Sequence, residues 1–96
     1  MIIDANEIFA ARKRWGHQER GKAIRRLRER YGITLEELAR KSGVTKQSVS
    51  QFELGKTEPR LEREVAITQA MHDAITRRLS QNPDPKGIYK KLSDLA

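Results

Sequence analysis

Twenty residues, Leu35 to Leu54 (LEELARKSGVTKQSVSQFEL), restrict what this chain can become. They read as two short helices joined by a sharp turn. Thr34 is an N-cap and Glu37 follows three residues later, the pattern of a capping box. Ile33 and Leu38 occupy the N′ and N4 positions of a hydrophobic staple, which points Leu38 into a core. Gly43 ends the first helix where a left-handed backbone would be costly for a residue with a Cβ. Thr45 then caps a second helix, with Val44 and Val49 as a second staple. Val49 and Phe52 share one face, and Gly55 closes the element. Ala39 supplies the small residue that two helices need in order to pack closely at a steep angle.

The outward positions of the second helix are Lys46, Gln47, Ser48, Ser50 and Gln51. They are short or medium polar side chains, rich in donors and acceptors, as expected of a helix lying in a DNA major groove.

With these residues in view, positions 22–79 resemble the Cro and lambda-type repressor class of helix-turn-helix (XRE-like) proteins. The run TKQSVSQFELGKT, Thr45 to Thr57, is similar to the recognition helix and following loop of lambdoid phage repressors. The resemblance implies a partly buried, structural ion pair between Arg28 and Glu53; the competing role for Arg28 is a phosphate contact. One position departs from the family. Where many phage repressors carry a phosphate-clamping glutamine just after the cap, this chain has Leu35, then Glu36 and Glu37. Backbone N–H groups at that helix start still offer a phosphate site, which the two carboxylates weaken.

Ninety-six residues, 36% of them hydrophobic, allow one small domain with a modest core. No alternating strand pattern occurs. The chain has no cysteine, so disulfides and thiolate metal sites are excluded. Neither a signal peptide nor a membrane span is expected, which points to a soluble, cytoplasmic, nucleoid-associated protein. Residues 12–30 hold nine Lys or Arg against two Glu, a surplus equal to the net charge of +7 on the whole chain. Such a stripe is either the footprint of a polyanion binder or a solvated helix face.

Around the motif the chain divides into 1–20, an N-terminal helix and basic arm; 21–81, the helix-turn-helix domain; and 84–96, a C-terminal helix. Asp4 and Glu7 form a capping box, with Ile3 and Ile8 as its staple. Ile8, Ala11 and Trp15 follow at helical spacing, Gly16 ends the helix, and Trp15 is expected in the core. This segment can pack on the domain, pair with another subunit, or act as an arm that orders on DNA. A helix from Gly21 to Tyr31 buries Ile24, Leu27 and Tyr31. A long helix runs from Arg60 to Ser80, with Leu61, Val65, Ile67, Met71, Ile75 and Leu79 as apolar positions. Asn82-Pro83-Asp84-Pro85 breaks it, and a last helix carries Ile88, Leu92 and Leu95. His17 and His72 lack partners at ligand spacing, so no metal is expected.

The expectation is an all-α, lambda-repressor-like helix-turn-helix domain of about five helices plus an N-terminal helix. The expected function is that of a homodimeric, sequence-specific DNA-binding transcriptional regulator, a repressor of its own or a neighbouring promoter. Lys46 can reach guanine O6 and N7 or a phosphate, and Gln47 and Gln51 can each bond adenine N6 and N7. Ser48 and Ser50 suit a phosphate or a base edge. Lys56, Thr57, Arg25 and Arg26 are phosphate candidates, because affinity for DNA comes mainly from basic residues on phosphates. Duplex DNA is the partner, with no membrane, cofactor or catalytic residues. The alternative is the DNA-binding antitoxin of a toxin–antitoxin pair, with a small protein partner. A third reading, a pure interaction module, conflicts with the polar residues at 46, 47, 50 and 51. The dimer contact is assigned to the terminal helix, with Ile75 and Leu79 adjoining. The other arrangement open to that helix is to fold back on its own core, leaving Ile8 and Trp15 as the other dimer candidates.

Overall fold

The structure, a computed structural model, describes residues 3–81. The segment from Asn82 to Ala96, with its expected terminal helix, lies outside the described residues. Five helices follow in order: α1 Ala5–Arg14, α2 His17–Arg30, α3 Leu35–Ser42, α4 Lys46–Glu53 and α5 Leu61–Gln81. No strand occurs among the described residues. α3 packs on α4 and α5, α4 on α2, and α1 on α5.

Local chemistry places the ends of these helices. The Asp4, Thr34 and Thr45 side chains accept from the backbone N–H of Glu7, Glu37 and Ser48 respectively, each satisfying an otherwise orphaned donor. Gly43 has φ +74°, the left-handed turn that lets α3 stop and α4 begin. Ile33, Leu38, Val49, Phe52, Ile67, Met71 and Ala74 are buried to 2% exposure or less and form the core. Ile24 and Ala70 join them, with Tyr31, Leu35, Val44 and Ile75 packed alongside.

The structure corrects several expectations. α2 begins at His17, not Gly21, and Gly16 caps it instead of ending α1. Leu27 is 38% exposed and lies outside the buried stripe of α2, and Trp15 is 50% exposed instead of packing in the core. Arg14 stacks its guanidinium over the Trp15 ring at 5.1 Å. The capping box at Thr34 is half formed. Glu37 supplies its N–H to the cap, but its carboxylate turns away to Arg78 in two hydrogen bonds of 2.7 and 2.9 Å. That pairing ties the far end of α5 to the start of α3 and holds the Glu37 carboxyl below the ordinary carboxylate range.

Of the three roles open to the N-terminal segment, packing on the domain is the one observed. Ile8 is buried, and the Ile3 N–H donates to Gln69 of α5 at 2.5 Å. Arg12 donates to Glu64 at 3.1 Å and to the Pro59 carbonyl. Beneath it lies a buried pair, Arg20 with Glu64 at 2.8 Å, 7% and 3% exposed. The Arg20 guanidinium also donates to Glu58 at 2.9 Å and to the Trp15 carbonyl at 2.6 Å. Buried charges persist where every donor has such a partner.

Gly21 has a different role from the helix start assigned to it. It lies within α2 against the backbone of α4, where a Cβ would meet the Phe52 carbonyl oxygen at 2.0 Å. Glycine inside a helix ordinarily costs about 1 kcal/mol relative to alanine. Here the close approach reverses the sign, because the obstructing atom is backbone and no rotamer change relieves it. Gly21→Ala should destabilise the fold by about 1–3 kcal/mol, the usual range for overpacking. Urea denaturation should show a lower midpoint at unchanged m-value; a midpoint at or above that of the unsubstituted chain would refute the close approach.

Candidate nucleic-acid interface

α4 is fixed from behind. Val49 and Phe52 are fully buried, and Glu53 at its end is 4% exposed. Arg28 of α2 meets Glu53 through two hydrogen bonds, Nε to Oε2 at 2.8 Å and Nη2 to Oε1 at 3.0 Å. Its Nη1 donates to the Ile33 carbonyl at 3.1 Å, which links the α2–α3 turn to the same clamp. The hydrogen bonds it donates to Glu53 outweigh burial and hold the guanidinium above its ordinary pKa. Arg28 is thereby committed to structure, and the phosphate role does not apply. The two parallel bonds fix orientation as well as distance, so the clamp sets the angle at which α4 is presented.

The opposite face of α4 is open. Lys46, Gln47, Ser50 and Gln51 line one groove with Leu35, Leu54 and Lys56. Lys46, Gln47 and Lys56 are exposed, and Ser50 and Gln51 are partly so. Gln51 is shared with a neighbouring groove, which also takes in Ser48, Thr57 and Arg63. Ser48 belongs to the cap there: its N–H donates to Thr45 Oγ1 at 3.1 Å, and its Oγ accepts from the Thr45 hydroxyl at 2.8 Å. Arg25 and Arg26 stand on the other flank, in a groove shared with Lys22 and Leu54. The structure thus brings five of the nine candidate residues into one surface and places the other four on its two borders. Lys22 and Leu54 are additions. Lys22 is visible in the sequence only as one of many basic residues, and Leu54, 53% exposed, had no mark as a surface residue.

The basic stripe separates into two sets. Arg12, Arg20 and Arg28 are consumed by Glu58, Glu64 and Glu53. Arg25 pairs with Glu29 one turn on, at 2.8 Å on the exposed surface. Lys22 and Arg26 are exposed and make no ion pair among the described residues. They, with Lys56, are the cations best placed to meet a polyanion beside α4. At the start of α4 the Lys46 Nζ donates to Glu36 Oε1 at 2.6 Å, and this bond holds the Glu36 carboxyl below the ordinary range.

Two helices crossing through a glycine turn, the second locked from behind and polar in front, define a helix-turn-helix protein. The sequence pattern of the family described as Helix-turn-helix matches residues 24–71, half of the chain. The chain belongs to this XRE-like family, the Cro and lambda-type class, and at the family level it is a DNA-binding regulator. No curated protein and no solved structure matches it. No described helix is long and apolar enough to cross a membrane.

Arg28→Met should leave Glu53 buried without its partner and cost about 3–5 kcal/mol of stability. Replacing both residues by methionine should recover much of that loss in urea denaturation. A double variant as unstable as the single one would show that the clamp acts through something besides its charges.

Proposed function

We propose that the chain is a homodimeric, sequence-specific transcriptional regulator that represses its own or a neighbouring promoter. The observation that carries this reading is the open polar face of α4, with Lys46, Gln47, Ser50 and Gln51 in one groove and the back of the helix clamped. A rigid helix with amide and ammonium groups on its free side suits base edges in a major groove. Lys22, Arg25, Arg26, Lys56 and Thr57 flank it and suit phosphates, which position the helix without reading sequence. Ser48, engaged in the cap, fits a backbone contact better than a base. A cytoplasmic, nucleoid-associated location follows from this function.

If Gln47 reads a base, Gln47→Ala should lose about 1–3 kcal/mol on the selected operator and little on random duplex. Neutralising Arg25 and Arg26 should weaken binding to both duplexes. It should also flatten the slope of log K against log salt by about 0.9 for every phosphate no longer neutralised. Equal losses from Gln47→Ala on both duplexes would confine Gln47 to positioning, and an unchanged salt slope would return the two arginines to a solvated face.

An eight-residue recognition helix spans few base pairs. Two-fold dimers meet that limit with half-sites about 34–36 Å apart. We assign the dimer contact to 84–96, next to Leu79. Ile75 contributes less than expected, since it already packs on the core. Deleting 84–96 should leave a folded monomer with a large loss of operator affinity. A truncated protein that still sediments as a dimer would move the interface to the α1 face.

An antitoxin is the second reading. Phe9 and Trp15, 53% and 50% exposed, give α1 and the residue after it an apolar surface, and neither is among the residues assigned to DNA. Co-purification of a small protein encoded next to the gene would favour it.

A further inference from the structure

We infer that the groove between α1 and α2 is an effector site for a small aromatic carboxylate, and that its occupant withdraws Arg26 from the DNA backbone. The binding site stands by itself; its regulatory consequence rests on the DNA-reading function above.

The groove exists because α1 packs on α5 rather than on α2. Ala11 of α1 and Ala23 of α2 line it and leave space that larger side chains would fill. Its volume is about 370 Å³, within the range of small-ligand pockets. Ile8, Ile24 and the Trp15 ring complete an apolar lining. The two buried charges beside them, Arg20 and Glu64, are bonded to each other, and each Arg20 nitrogen already donates within the protein. An occupant therefore meets mostly apolar surface and finds its charge partner at the rim.

That rim favours an anion. Arg26 lines the groove, is exposed and makes no ion pair among the described residues. Arg14, stacked over the Trp15 ring at 5.1 Å, is exposed and likewise has no carboxylate partner among them. Glu19 is the opposing charge in the lining. It precedes Arg26 by two helical turns, about 10 Å, where salt largely screens one exposed charge from another. A flat apolar body suits the space between the alanines and the indole, since ring pairs add to plain burial. A carboxylate on a short tether suits the guanidinium, which it engages with two oxygens.

Arg26 joins this groove to the DNA side. On one flank of α2 it lines the effector groove, and on the other it lines the groove with Lys22, Arg25 and Leu54 beside α4. Turned to a ligand, its side chain is turned from a phosphate. Ligand and DNA then weaken each other reciprocally, by the worth of that one contact. Phosphate contacts carry no sequence information, so the loss is the same on any duplex.

Trp15 is the only tryptophan of the chain, so its fluorescence reads the groove directly. The full-length protein is titrated with 3-phenylpropanoate and with 3-phenylpropanamide, which has the same body and no charge, at matched ionic strength. The acid should saturate at about 1 mM or below, as a fragment-sized ligand does. The amide should bind about fivefold more weakly, the scale of one exposed ion pair. Arg26→Gln should erase that preference. Ala23→Leu, at an exposed helical position, should block both compounds and leave the melting temperature close to the parent's. Saturating acid should weaken a selected and a scrambled duplex alike, about fivefold, and lower the salt slope by about 0.9; the Arg26→Gln protein should show neither change. No saturable response to any phenylalkanoate with a chain of two to five carbons, equal binding of acid and amide, or binding indifferent to Ala23→Leu would overturn the inference. So would binding that appears only after removal of 84–96, which would make the groove the seat of that segment, or binding that splits a sedimenting dimer, which would make it the seat of a second copy. A parent protein that enriches no duplex would overturn the DNA-reading function, while the fluorescence titration would still decide the site.

Discussion

The backbone of α2 touches the backbone of α4 at Gly21, and the position of the reading helix depends on that touch. A side chain at this point would hold the helices apart and lift Phe52 from the core it fills. With the helices this close, Arg28 stands one reach from Glu53 and can bond it with two nitrogens of its fork. The glycine sets the distance and the ion pair sets the orientation. Neither suffices alone: packing without the pair would leave α4 free to rotate about its apolar stripe, and the pair without close packing would be open to water and weak. A recognition helix needs both, because base edges are read at hydrogen-bond tolerance.

Arginine is used in this fold as a connector between distant parts of the chain. Arg20 joins α2 to Glu64 in α5 and to Glu58 in the preceding loop, while Arg12 brings α1 to the same carboxylates. Arg78 joins α5 to the start of α3. These pairs fall outside the core cluster, at the α1–α2–α5 corner and toward the end of α5. A guanidinium suits such places, since it can satisfy several acceptors at once while its stem covers apolar surface. The cost is that much of the chain's positive charge is spent internally. Fewer cations are left unpaired beside α4 than the composition suggests, chiefly Lys22, Arg26 and Lys56 among the described residues.

What was legible in the sequence was local. Thr34, Thr45 and Asp4 cap their helices because a cap needs only a neighbour three residues away, and Gly43 marks its turn for a similar reason. The open face of α4 was legible too, from helical spacing. The start of α2 was not: Gly16 caps it with no side-chain hydrogen bond, and Gly21 resembles a helix boundary unless its neighbour in space is known. Trp15 followed helical spacing from Ile8, but α1 ends before it and the ring turns outward. The pairs Arg20–Glu64 and Arg78–Glu37 join residues 44 and 41 positions apart, for which periodicity holds no signal. Arg28 with Glu53 was the exception, and there the family resemblance supplied what spacing could not.

Glu37 and Glu36 show how adjacent residues of one type are divided by geometry. The first faces inward, where Arg78 and, at 3.8 Å, Lys41 converge on it. Its folded-state pKa is lowered, so its contribution to stability is complete above the ordinary carboxylate range and is lost as pH falls through the folded value. The second faces outward into solvent, where it accepts a hydrogen bond from Lys46. A helix turn of about 100° between neighbours is enough to assign one carboxylate to the fold and the next to the surface. Leu35, where many phage repressors of the family carry a glutamine, packs against the core and lines the groove in front of α4, and the next residue, Glu36, pairs with Lys46 on the surface.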